Sequence, residues 1–299
     1  MIAEQVRNLA RRSLAAISPA LLQELIRWRS LREHDRRETR KWSERTAIVV
    51  ACPDNARIPR HPGAGKLSRG FITMFNGIKV VADGYYGRHM TRLLRANLGS
   101  HEPQEELVFA EVLKQMRPGA RMLECGAYWG FYSVWFLQQV SGGEAWMVEP
   151  DAENLEVGLR NLRANNVSAG LIQAFVGRDP APGTLDTISV DEFLRRENIG
   201  RLDILHADIQ GAELDMLAGS ERALKAMSID FLFISTHGGE LHERCEAALK
   251  AHRYEVPVSI PPERSFSVDG LIVACRPGAL ARPLPIPSMR LEPGGSGRL

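Results

Sequence analysis

Residues Arg121 to Gly130 read RMLECGAYWG. Arg121-Met122-Leu123 is short and mostly apolar, as a buried strand is, and Glu124 stands where that strand ends. Gly126 and Gly130 bracket a tight turn. Phe131-Tyr132-Ser133-Val134-Trp135-Phe136 then continues as an apolar-rich helix. Glycine suits such a turn because it accepts positive φ and lets a ligand approach the backbone. The helix that follows offers unpaired N–H groups at its start. Further along, Ala145–Pro150 (AWMVEP) reads as a second buried strand that also ends in an acid, Glu149.

Two acids at successive strand tips say something about the ligand. A carboxylate at the first tip repels a diphosphate and attracts a cation. That favours S-adenosylmethionine, with its ammonium group and sulfonium centre, over a dinucleotide. An acid at the second tip is placed to accept hydrogen bonds from ribose hydroxyls. Glu124, Gly126, Gly130 and Glu149 are therefore the expected cofactor contacts. An NAD-dependent oxidoreductase would need GxGxxG after the first strand, and LECGAYWG lacks that spacing.

Outward from this unit the chain alternates strands and helices. Gln104–Met116 has the pattern of an amphipathic helix. Asp151 caps a helix running to about Arg163. Leu171–Val176 is a third strand, and Ser189 with Glu192 forms a capping box. Leu202–Ala207 is a fourth strand, leading through Asp208-Ile209-Gln210-Gly211 into a helix that ends about Met227. Ile229–Ser235 is a fifth strand, followed by Thr236-His237-Gly238-Gly239 and the helix Glu240–His252, with His242 on its solvent side. Tyr254–Ile260 and Leu271–Cys275 close the sheet as an antiparallel pair. The pattern predicts an α/β domain over 101–276, an open and mostly parallel sheet with helices on both faces. Ligands in such sheets sit beyond the carboxyl ends of the strands, where Glu124, Glu149, Gly177, Asp208 and His237 all fall.

The flanks read differently. Residues 1–45 form a basic helical segment, broken at Pro19, with Arg27, Arg29, Arg32, Arg36, Arg37, Arg40 and Lys41 interrupted by Glu33, Asp35 and Glu38. It fits either a solvated helix packed on the domain or a helix resting on an anionic membrane surface. Residues 46–100 form a capping extension, with a β-like run at Thr46–Cys52 and a hairpin around Asn76-Gly77. Its Tyr85 and Tyr86 either line a substrate pocket or pack half-buried. Residues 277–299, rich in Pro and Gly, form a flexible tail.

The sequence has 299 residues, 44% hydrophobic and 25% charged, with a net charge of +2. The small charge gives no general electrostatic case for nucleic acid. Cys52, Cys125, Cys245 and Cys275 form no CxxC pair. A reducing cytoplasm is the simplest compartment, with the inner membrane surface as a second location if the basic helix binds there. No apolar run is long enough for a membrane span.

The region from His101 to about Val258 resembles the FkbM family of class I methyltransferases. The resemblance rests on HEPQEE, LECGAYWGFYS, MVEPDAENLEVGLRNLRANN, FVG, LDTISVDEF and LHADIQGAELDML. It implies a Rossmann-like sheet of seven strands with the last pair antiparallel. It also implies methyl transfer from S-adenosylmethionine to a hydroxyl of a sugar, glycan, glycolipid or secondary metabolite. Glu102, the acid of the HEP motif, is then expected near the methionine end of the cofactor. Glu124 stands where the family usually has Asp. Tyr128 and Trp129 replace smaller residues and narrow the mouth of the turn.

Methyl transfer to oxygen needs the hydroxyl aligned with the methyl group and its proton removed. His237 is the expected general base and Asp208 its orienter or a ligand of the hydroxyl, each with a purely structural role as the competing reading. Tyr85, Tyr86, Trp129 and Glu213 are the expected acceptor contacts. Asp208, Glu213, His237 and His206 have no strict metal-ligand spacing, so no metal is assigned. The competing function is a non-catalytic scaffold that uses its basic N-terminus on a membrane or partner. The acceptor's identity and the oligomeric state stay open.

Overall fold

The computed structural model describes residues 19–178 and 186–291. The expected helix over residues 1–18 and the tail beyond Leu291 lie outside the described residues. The chain divides into two compact units, 1–44 and 45–299.

In the first unit, residues 19–44 are helical as the opening of α1 (Pro19–Val50). Pro19 stands in the first turn, where a missing N–H costs no helical hydrogen bond. Arg40 pairs with Glu44 and Lys41 with Glu38, each at 2.9 Å. The interleaved acids thus neutralise part of the basic run. No described helix is long and apolar enough to cross a membrane.

The second unit begins inside α1. Thr46–Cys52, expected as a β-like run, is helical up to Val50. Its β-branched residues resist helix only weakly, and tertiary burial of Val49 outweighs that preference. Asn55 Nδ2 then donates to the carbonyls of Val49 and Val50 at 2.8 and 3.3 Å, ending the helix. A small antiparallel sheet follows, β1 (Leu67–Ser68), β2 (Phe71–Thr73) and β3 (Lys79–Val81), turning at Asn76-Gly77 as expected. The outer edge of β3 is held by two asparagines four residues apart, Asn161 on α5 (Ala152–Ala164) and Asn165 at its C-cap. Val81 N donates to Asn161 Oδ1 at 2.7 Å and Lys79 N to Asn165 Oδ1 at 2.9 Å. Between hairpin and main sheet lie α2 (Gly87–Ala96) and α3 (Pro103–Leu113).

The main sheet is built from β4 (Arg121–Cys125), β5 (Glu144–Val148), β6 (Gly170–Ile172), β9 (Leu202–Ala207), β10 (Ile229–Thr236), β11 (Glu255–Ile260) and β12 (Gly270–Cys275). Its order is β11-β12-β10-β9-β4-β5-β6, with β12 antiparallel to both neighbours and the other pairings parallel. This is the seven-stranded Rossmann-like sheet expected from the sequence. The order reverses at β4, with β5 on one side and β9 on the other, so the ligand crevice opens beyond these three strands. The helices α4 (Phe131–Gln139), α6 (Val190–Arg196), α7 (Glu213–Ala218), α8 (Glu221–Lys225) and α9 (Gly239–Ala251) complete the layers. Every residue of β9 and β10 is buried, as central strands covered on both faces are.

Three local differences have simple causes. The expected third strand is split: β6 ends at Ile172, and β7 (Phe175–Val176) leaves the sheet to pair with β8 (Thr187–Ile188). The helix after the fourth strand breaks at Gly219, where a Cβ would lie 2.3 Å from the carbonyl oxygen of Gly177. His242 does not face solvent. It is buried, bonded to Thr236 Oγ1 at 2.8 Å and Ser259 Oγ at 2.9 Å, and ties α9 to β10 and β11.

The tail is pinned as far as it is described. Ala281 N and Arg282 N donate to Gln115 Oε1, Ser288 N donates to Asp54 Oδ2, and Ser288 O accepts from Gln104 Nε2 at 2.6 Å. These partners lie in distant segments, so the sequence of the tail alone carried no sign of them.

Candidate active site

The turn after β4 is shaped by close approach. Gly126 has φ 72°, and a Cβ there would sit 1.9 Å from the carbonyl oxygen of Asp208. No side chain fits that gap. Asp208 N in turn donates to Cys125 O at 3.0 Å, so the ends of β4 and β9 are locked together. Gly126 N and Ala127 N both donate to Val148 O, which fastens the turn to β5. Gly130 has φ 65°, and a Cβ there would collide with Met147 Cε at 2.3 Å. Its role is packing. It does not line the cavity, although its neighbour Trp129 does.

The strand tips enclose a cavity of about 520 Å3, within the usual range for cofactor pockets. Glu102, Glu124, Glu149 and Asp208 put four carboxylates on its wall, and among the described residues no Lys or Arg lines it. Glu149 is nearly buried. Its Oε2 accepts from Tyr128 N at 3.1 Å, and its Oε1 from Asp151 N at 3.0 Å and Asn154 Nδ2 at 3.2 Å. Three donors fix the carboxylate's orientation beside the turn. Glu124 Oε2 accepts from Ser133 N at 2.9 Å in the first turn of α4. Burial raises its pKa, against the opposing charge of His206 and the hydrogen bond from Ser133.

A second layer of charge lies around α3. His206 Nε2 meets Glu105 Oε1 at 2.7 Å, and His101 Nδ1 meets Glu106 Oε1 at 2.8 Å. Glu102 Oε2 accepts from Tyr132 Oη at 3.1 Å and lies 3.3 Å from His101 Nε2. Burial pushes the Glu102 carboxyl up to about 7; His101 opposes this, while Glu105, Asp208 and Asp269 add to it.

Aromatic rings form another wall. Tyr85 stacks on Trp129 with centroids 4.4 Å apart and planes 10° from parallel. Tyr128 meets Tyr85 edge-on at 4.8 Å, and Tyr86 tilts against both tyrosines. All four rings line the cavity, and Tyr86 is the most exposed, at 41%. Pro150, Phe175, Val176 and Ile209 supply an apolar stretch. Gly177 and Asp186 do not line the cavity, although their neighbour Val176 does.

His237 and Asp208 do meet, at 3.2 Å, but within a larger cluster. His237 Nδ1 lies 2.7 Å from Glu213 Oε1, and Nε2 lies 3.3 Å from Asp269 Oδ1. Burial works to lower the pKa of His237. Its hydrogen bonds to Asp208 and Glu213 and the charges of Asp269 and Asp208 outweigh that and push it up to about 10. A raised pKa favours the protonated ring, which holds no lone pair for a hydroxyl proton, while Gln210 Nε2 lies 2.8 Å from His237 Nε2. Against burial, the hydrogen bond and charge of His237 hold Asp208 below the usual carboxylate range. Glu213, expected to contact the acceptor, is fully buried and does not line the cavity. Its Oε1 accepts from Gly211 N at 3.1 Å as well as facing His237. Among the described residues no His, Cys, Asp and Glu cluster has the arrangement of a metal site.

Tyr132 and Asp269 were missed by sequence reasoning. Tyr132 lies in the apolar run of α4 and looks like core. Asp269 precedes β12, whose antiparallel insertion beside β10 carries it to His237.

Residues 181–256 match the family model for the methyltransferase FkbM domain. No curated relative matches the chain. Solved structures with similar architecture include the precorrin-6y C5,15-methyltransferase of Geobacter metallireducens GS-15, at 14% identity, covering 56% of this chain and 87% of that one, with a TM-score of 0.40. The ribosomal protein L11 methylase of Lactobacillus delbrueckii subsp. bulgaricus is 13% identical over 60% and 80% of the two chains, with a TM-score of 0.42. Aeropyrum pernix fibrillarin with natively bound S-adenosyl-L-methionine is 17% identical over 53% and 67%, with a TM-score of 0.39. These likenesses are too loose to bear on the acceptor. Over residues 181–256, about a quarter of its length, the chain is similar to the methyltransferase FkbM domain.

Proposed function

We propose that the chain transfers a methyl group to a hydroxyl of an uncharged, polyhydroxylated acceptor, a sugar, glycan or sugar-bearing secondary metabolite. The observation that carries this reading is the cavity wall: four carboxylates, the aromatic rings of Tyr85, Tyr86, Tyr128, Trp129, Tyr132 and Phe175, and, among the described residues, no Lys or Arg. Carboxylates in a partly dry cavity repel phosphates, which disfavours a nucleic-acid acceptor. Aromatic faces offer flat apolar area to the C–H face of a sugar ring.

S-adenosylmethionine supplies the methyl group as a sulfonium. In this chain, Glu149 would accept from its ribose hydroxyls, the apolar stretch at Val176 and Ile209 would border its adenine, and Glu124 would face its cationic methionine end. Asp208 accepts the acceptor's hydroxyl hydrogen bond and so fixes the direction of its lone pair. His237 stays protonated and keeps Asp208 ionised and still. Tyr85, Tyr86 and Trp129 hold the acceptor ring. Alignment of oxygen, methyl carbon and sulfur is the main contribution such a site makes to rate.

The test is calorimetric titration with S-adenosylmethionine and S-adenosylhomocysteine, beside Glu149→Ala, then incubation with a panel of sugars, glycosides and RNA followed by mass spectrometry. Micromolar binding weakened in the variant, with methyl gain on a neutral glycoside, supports the reading. A folded protein that binds neither ligand refutes it and leaves a scaffold. Methyl gain on RNA alone refutes the acceptor class.

A further inference from the structure

Residues 57–98 carry eight Lys and Arg and a single acid, Asp83, in a chain whose 38 basic and 36 acidic residues nearly balance. The cations gather on the small sheet and α2. In α2, Arg88, Arg92 and Arg95 recur at helical spacing and are exposed, while Met90, Leu93 and Leu94 are buried. In the sheet, Thr73 N donates to Lys66 O at 3.1 Å and Thr73 pairs with Lys79. Lys66 and Lys79 thus flank Thr73 in one cross-strand row. The two elements adjoin: a Cβ at Gly65 would lie 3.2 Å from Arg95 O and 3.1 Å from Leu98 Cα. Lys66, Arg69, Lys79, Arg92 and Arg95 are all exposed, and none forms an ion pair among the described residues.

Two leucines stand on the same adjoining turns with much of their surface in solvent, Leu67 at 47% and Leu98 at 52%. Leu98 is also held at φ 50°, a conformation that glycine adopts freely and a bulky residue only under strain. Half of that side chain gives the core nothing in return.

We propose that this face, built from β1, the turn at Arg69 and α2, docks on a lipid bilayer that carries anionic headgroups. The cations meet the headgroup phosphates, and each is worth about a factor of five in partition. Leu67 and Leu98 enter the boundary between headgroups and acyl chains. Aliphatic side chains separate this partner from a single-stranded nucleic acid, whose bases stack on aromatic rings. The exposed aromatic side chains among the described residues, Tyr86 and Phe175, line the cavity instead. None of Lys66, Leu67, Arg92, Arg95 and Leu98 lines the cavity, so the docking face is separate from the methyl-transfer site and does not rest on that reading.

The test is co-sedimentation of the full chain with vesicles of phosphatidylcholine alone and of phosphatidylcholine with phosphatidylglycerol. Wild type is expected to bind the anionic vesicles, to leave them as salt is raised, and to bind the neutral ones far more weakly. The triple variant Lys66→Glu, Arg92→Glu, Arg95→Glu is expected to partition at least about a hundred-fold more weakly, with an unchanged circular dichroism spectrum. Leu98→Gly removes the exposed side chain and relieves the backbone, so it should melt no lower than wild type yet partition about five-fold more weakly. Undiminished binding of the triple variant overturns the proposal and puts the contact elsewhere, such as the basic segment before residue 45. Undiminished binding of Leu98→Gly also overturns it, since the leucine then does not enter the bilayer. Wild type that binds a uridine oligonucleotide and neither vesicle overturns it in favour of a nucleic-acid surface.

Discussion

Replacing His237 by glutamine removes the one ring that faces Asp208, Glu213 and Asp269 at 3.2, 2.7 and 3.3 Å. A histidine held at about 10 rather than 6.5 gains roughly 5 kcal/mol in a fully dry site, at about 1.4 kcal/mol for each tenfold change in proton affinity. The cluster is partly open to solvent, so we halve this to about 2–3 kcal/mol. The folded pKa is raised, so the stabilisation is complete below pH 6.5, shrinks as pH rises, and is gone above about 10. His237→Gln lacks that slope. The gap between the two proteins should therefore be widest below pH 6.5, still large at pH 7, and close toward pH 10. Urea unfolding followed by circular dichroism at pH 7 and pH 9.5 measures it. A midpoint difference that is equal at both pH values, or absent at pH 7, refutes the idea that a buried cation organises this end of the sheet.

Three further outcomes are expected. Gly126→Ala should lose about 3 kcal/mol or fail to accumulate folded, because the new Cβ meets a carbonyl oxygen in backbone that cannot retreat; thermal melting reports it. Asp54→Ala leaves Ser288 N and Oγ and Arg57 without their buried acceptor, at about 1–3 kcal/mol, and should speed tryptic cleavage after Arg290 relative to wild type. Asn161→Ala removes the acceptor of Val81 N and the donor to Trp129 O, each at 2.8 Å or less, at a cost of about 2–4 kcal/mol. It should also raise the dissociation constant for S-adenosylmethionine and shift tryptophan fluorescence; unchanged values on both counts would show that the hairpin does not shape the cavity.

The sheet was legible because its signals are local. Apolar runs, caps at Asp151 and Ser189, and turns at Gly126 and Gly238 repeat in step with the alternation of strand and helix. Glu149 was legible for the same reason, since an acid directly after a strand has few places to go. What was hidden depended on partners far away in sequence. Thr46–Val50 carries β-branched residues yet stays helical because Val49 is buried. His242 looks exposed by helical spacing until β11 is packed against it. The charge state of His237 could not be read from its neighbours in the chain, since Asp208, Glu213 and Asp269 arrive from three separate segments. Glu102 and Tyr132 look like a cap and a core residue until α3 and α4 are brought side by side.

The stacked pair of Tyr85 and Trp129 joins parts of the chain with different obligations. Trp129 belongs to the turn that the sheet and its methyl donor constrain. Tyr85 comes from a segment that precedes the first sheet strand and contributes nothing to that sheet. Under the proposed function, substitutions around residues 82–90 act on the acceptor side of the cavity through this one stacked contact. The stack is thus the point at which a change in the segment before the sheet is felt by the turn within it.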